Sequence, residues 1–132
     1  RRSSDLDKEK DKILKARAGK DGVALVQDSD GYVEELYLVR DAHSGRDIWS
    51  NERRIESAVI EVNNVITGSG DVELNHFYHH AGFNALPDGD TYGWSGALLD
   101  LSWDTTTRDD GRPVRVFTFR TPPTKGYDRN GV

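Results

Sequence analysis

The period of hydrophobic and polar positions changes near Gly22. Before it, Leu6, Ile13 and Leu14, with Ala16 and Ala18, form a thin stripe of helical period. Ser4 stands three residues before Asp7 in a capping-box-like start. Acids at Asp5, Asp7 and Glu9, bases at Lys15 and Arg17, and a stop at Gly19 suit the helix dipole. These positions predict an N-terminal helix over 4–18. After Gly22 the period becomes that of strands. Val23–Val26, the turn Asp28–Gly31 and Tyr32–Val39 read as a hairpin. A second turn spans Asp41–Gly45, followed by a short strand around Ile48 and Trp49. The β-branched run Ile55–Ile66 reads as a long strand bent at Asn63-Asn64, and Gly68–Gly70 as a turn. Val72–His80, Trp94–Trp103 and Val114–Arg120 read as further strands. They are separated by a loop over Phe83–Tyr92 and a polar hairpin loop over Thr105–Pro113. From Thr121 on, prolines and glycines predict an irregular tail.

Turns every 8–14 residues predict a mostly β chain: a single antiparallel β-barrel, with a sandwich as alternative, behind an N-terminal helix. The expected division is an N-terminal basic arm over 1–20, a β domain over 21–121 and a tail over 122–132. In 72–80 one strand face would carry Val72, Leu74, His76, Tyr78 and His80. In 94–103 one face would carry Ser95, Ala97, Leu99, Leu101 and Trp103, leaving Asp100 with Trp94 on a partly polar face. In 114–120 both faces are apolar, which predicts a central or doubly covered strand. Apolar faces holding a few polar groups suit either a ligand cavity or a half-exposed sheet.

Composition narrows the classes. The chain has 132 residues, enough for one domain, and a net charge of −5. Residues 1–20 hold eight Lys/Arg against four Asp/Glu, and the remainder is acidic. An acidic body argues against nucleic acid as partner, because phosphate binding needs clustered cations. No apolar run is long enough for a membrane span. Cysteine is absent, which removes disulfides, thiol nucleophiles and Cys-ligated zinc. The chain begins at Arg1 and holds no Met, so a processed or trimmed start is expected; localisation stays open, with the cytoplasm as default.

Candidate chemistry centres on Asn75–His80. Histidine titrates near neutral pH, so His76 and His80, with Tyr78 as hydrogen-bond partner, are the catalytic candidates. On a strand His76 and His80 would stand about 13 Å apart, too far for one metal, and no metal site is expected. The plain alternative is sheet-surface or hydrogen-bonded core histidines. Asp28–Gly31 falls short of a calcium loop because Val26 stands where a carboxylate is needed, and Asp88-Gly-Asp90 makes an equally good turn. Trp94, Asp100 and Tyr37 are the candidate ligand-binding residues. Core packing is the ordinary role of such aromatics. Tyr92–Gly96 approaches a nucleophile elbow without the helix that must follow it.

Glu34–Tyr37, the turn at His43–Gly45 and the strand ending Arg53–Glu56 together resemble the opening hairpin of allene-oxide-cyclase-like barrels. That group includes small bacterial cyclases of polyketide biosynthesis. The resemblance covers about 22 of the 132 residues. It implies a barrel with an internal substrate cavity, no metal and no cofactor, over which 4–18 would act as a cap. The expected function is therefore a small-molecule-binding β-barrel, in enzymatic form a cofactor-free cyclase acting by substrate positioning. The alternative is a non-enzymatic protein-interaction or structural assembly module. The partner is then a small ligand or a protein, and a homo-oligomer stays open.

Overall fold

The structure, a computed structural model, describes residues 12–15 and 22–129. Among them are nine strands, two α-helices and a 3-10 turn: β1 Lys12–Lys15, β2 Val23–Gln27, β3 Val33–Asp41, β4 Arg46–Ser50, α1 Glu52–Ser69, β5 Asp71–Glu73, α2 Leu74–Ala81, β6 Tyr92–Ser95, β7 Leu101–Thr107, β8 Pro113–Phe119, β9 Thr124–Lys125, then Tyr127–Arg129. The chain is mostly β, and both sheets are open. The larger has the order β1-β2-β3-β8-β7, with β4 also paired to β3. The smaller has the order β5-β6-β9. The barrel is thus corrected, and so is the cavity it would enclose. The sheet is mixed, because β3 and β8 run parallel. Residues 33–37 of β3 pair with β2, 38–41 with β8, and 37–41 with β4.

Two predicted strands are helices. In 55–66 the buried positions are Ile55, Ala58, Val59, Val62 and Ile66, a spacing of three and four that only a helix places on one face. β-Branched content favoured a strand, but strand propensity yields to burial of one continuous stripe. Asn51 caps the helix by accepting from the Arg54 N–H at 2.9 Å. Gly70, at φ 93°, closes it with a bond to the Ile66 carbonyl. In 72–80 only the first residues are extended. Leu74, Phe77, Tyr78 and Ala81 are then buried at i, i+3, i+4 and i+7, and Gly82 ends α2. The expected strand at 94–103 breaks at Gly96 into β6 and β7. The bend expected at Asn63 is instead a clamp. Its side chain accepts from Leu99 N at 2.7 Å and donates to Leu99 O at 3.0 Å.

The helices lie on one face of the large sheet, and their stripes meet Val39, Leu101, Phe117 and Phe119 in the core. Phe77 stands at its centre, with ring centroids 5.3 Å from Phe119, 5.7 Å from Phe117 and 6.5 Å from Trp94. Edge-on aromatic packing of this kind fills the interior. β8 is internal to the sheet, as its two apolar faces predict. Within the expected tail, Thr124–Lys125 form β9, paired with β6, and Tyr127 is buried. Gly93 permits the close approach of β5 and β6, since a Cβ there would lie 2.1 Å from the Val72 carbonyl. The helix expected over 4–18 lies outside the described residues except at Lys12–Lys15, which form a strand paired with β2. No helix among the described residues is long and apolar enough to cross a membrane.

Candidate functional site

Because α2 is a helix, His76 and His80 stand one turn apart on its outer face. Their ring centroids are 4.8 Å apart, not the spacing of a strand. Phe77 and Tyr78 face the core and fix the helix against the sheet. Glu61 of α1 meets the histidines from across the helix pair. Its Oε2 lies 3.3 Å from His76 Nε2 and 3.9 Å from His80 Nε2. All three side chains are partly open to solvent. Glu61 belongs to the site but not to the set expected from sequence, because the run containing it reads as a strand. Its helical spacing was available as a signal; its partner helix was not.

His80 also lines a cleft of about 390 Å³ between α1, β4 and the end of α2. Arg53, Arg54, Ser57 and His79 stand in its walls, with Ile48 and Trp49 as apolar floor. Behind them Glu34 accepts from Arg54 Nη2 at 2.8 Å, Arg53 Nη2 at 2.5 Å and Asn51 Nδ2 at 2.7 Å. The Arg54 hydrogen bond above all, then those from Asn51 and Arg53, hold the Glu34 carboxyl at a pKa of about 2, against the opposing effect of burial. Arg53 and Arg54 thus both bond the Glu34 carboxylate at the cleft wall.

The other expected residues do not converge on this site. Tyr78 is fully buried, and its hydroxyl donates to Asp41 Oδ2 at 2.5 Å. Burial first, and the Asp41 carboxylate second, push the Tyr78 phenol well above its ordinary range. The Arg46 guanidinium lies over its ring, 4.7 Å from the centroid. Trp94 is a core residue whose Nε1 donates to the Thr121 carbonyl at 2.7 Å. Tyr37 accepts at its hydroxyl from Glu52 N at 2.8 Å and so supports the start of α1. Asp100 is exposed and pairs with Arg120 at 3.1 Å. At the Asp28 turn the carboxylate accepts from the Asp30 and Tyr32 backbone N–H groups, the ordinary work of a turn aspartate.

A family model described as a family of unknown function, DUF6353, matches residues 3–128. The chain belongs to that family. No curated protein matches it, and no solved structure matches it.

Proposed function

We propose that this family member binds a small anionic molecule in the cleft between α1, β4 and α2. The observation that carries this is the wall itself. Arg53 and Arg54 line one cleft together with His79, His80 and the Ser57 hydroxyl, so five side chains able to donate hydrogen bonds face the same space. Arginine offers a planar fork of donors suited to carboxylate and phosphate groups. The volume is near the lower end of ligand-binding clefts, which suits a small ligand. Ligand binding thus moves from the barrel interior expected from sequence to an open surface cleft. Arg53 is the recognition group in this reading, because its side chain is 71% exposed and so open to a ligand from solvent.

Calorimetric titration with inorganic phosphate and with short-chain carboxylates tests this. Saturable binding is expected for at least one of them, weakened about tenfold or more in Arg53→Gln, since a charged hydrogen bond contributes about 1.5–3 kcal/mol. No saturable binding of either class, or equal binding by the variant, overturns it. A second reading, the interaction or assembly module, is favoured by Ile60 and Leu98, large apolar side chains left exposed beside the Asn63–Leu99 clamp. Sedimentation of wild type against Ile60→Ser/Leu98→Ser separates it: self-association lost in the variant supports it, and identical behaviour removes it.

A further inference from the structure

Beyond the anion cleft, the geometry points to a transition-metal site formed by Glu61, His76 and His80. Their three ligand atoms lie within 4.8 Å of one another. A tetrahedral ion with bonds of about 2.0–2.1 Å holds neighbouring ligand atoms roughly 3.3 Å apart. The His76–Glu61 distance is already 3.3 Å; the His80–Glu61 distance is 3.9 Å and no pair of the three exceeds 4.8 Å, so the set must draw together on binding. Two imidazoles and a carboxylate suit Zn²⁺ and its neighbours in the first transition row, rather than Ca²⁺ or Mg²⁺, which take all-oxygen shells. The set comes from two packed helices. Ile55, Val59 and Val62 anchor α1 from below, and Phe77 and Tyr78 anchor α2. The ligands therefore start near their bound positions and little order is lost on binding.

Three protein ligands leave a fourth position open, the arrangement of exchangeable and catalytic sites rather than of closed structural ones. His80 shares its ring between this triangle and the cleft wall, so a metal here would add positive charge at the edge of the anion site. The two sites stand on different observations. The metal site needs neither Arg53 nor an anion.

The test is titration of the tag-free, chelator-stripped full chain with Zn²⁺ in phosphate-free buffer near neutral pH, followed by calorimetry and by melting temperature. One Zn²⁺ per chain is expected, with a melting temperature that rises as Zn²⁺ is added. His76→Ala, His80→Ala and Glu61→Ala should each weaken binding at least about tenfold, because even partners outside the ligand set are commonly worth that much. His43→Ala, on the β3–β4 turn, should bind as wild type does. The ligand side chains are partly exposed, so the variants should keep the wild-type circular dichroism and metal-free melting temperature. No saturable Zn²⁺ uptake by wild type overturns the site. So does equal affinity in a folded His76→Ala/His80→Ala double variant.

Discussion

Replacing Tyr78 by Phe removes one oxygen atom from a contact sealed off from water. Asp41 is fully buried at the end of β3, and its carboxylate accepts four hydrogen bonds. These come from the Ser44 hydroxyl at 2.6 Å, the His43 and Ser44 N–H groups at 3.1 and 3.2 Å, and the Tyr78 hydroxyl at 2.5 Å. The first three lie within the β3–β4 turn. Tyr78 ties that turn to α2. Phe keeps the ring packed against Phe77 and Phe83, so no cavity forms. What is lost is one hydrogen bond to a charged group, worth about 1.5–3 kcal/mol. For a chain of this size that lowers the melting temperature by about 5–11 °C. Differential scanning calorimetry reads the shift, and phosphate or carboxylate titration of the same variant reads the cleft. Tyr78 acts here as a structural tie, so stability should fall while binding stays within about twofold, below the effect of losing a direct contact. An unchanged melting temperature with binding abolished would refute this reasoning and return Tyr78 to the ligand-contacting role that its place beside His76 suggested.

Two further outcomes test the joints around the cleft. Glu34 is held near a pKa of about 2, below the ordinary carboxylate value, so it stabilises the folded state at neutral pH. That contribution, about 1–3 kcal/mol allowing for solvent screening of the exposed Arg53, is complete above the unfolded-chain value and is lost as pH falls from about 4.5 to about 2. Urea melts across that window should show a smaller loss in Glu34→Gln than in wild type; equal acid sensitivity would contradict the pairing. Asn63→Ala removes both bonds to the Leu99 backbone and should cost about 1–3 kcal/mol in chemical denaturation, while a change below about 0.5 kcal/mol would show that the clamp is not holding the 96–100 loop.

Local chemistry was the legible part of this chain. The turns Asp28–Gly31 and Asp41–Gly45 and the strands they join stand close to where their residues place them, because turn geometry is set by a few neighbouring side chains. β8 was legible as a central strand for a similar reason: apolar on both faces, it has few other places to go. The helices were not legible from residue type. Val and Ile make up half of 55–66, and Phe77 and Tyr78 stand side by side in 74–81; their strand preference is a fraction of the energy gained by burying Ile55, Val59, Val62, Phe77 and Tyr78 on shared faces. The three-and-four spacing of those residues carried the correct answer, and it outweighs propensity wherever the two disagree. Misassigned period then misplaced the site. It separated His76 from His80 and hid Glu61, whose role depends on how two helices pack, a tertiary fact. Tyr37, Trp94 and Asp100 have chemistry that suits a ligand, but their neighbours use it for a helix start, a core tie and a surface ion pair.

The cleft is tested most directly by two-dimensional NMR of the metal-free protein during a phosphate titration, following the rings of His79 and His80 with His43 as internal reference. Binding between α1, β4 and α2 moves the His79 and His80 resonances saturably, leaves His43 in place, and needs at least about tenfold more phosphate in Arg53→Gln. Equal drift of His43, His79 and His80 without saturation, or the same shifts in Arg53→Gln, would contradict a binding site in the cleft.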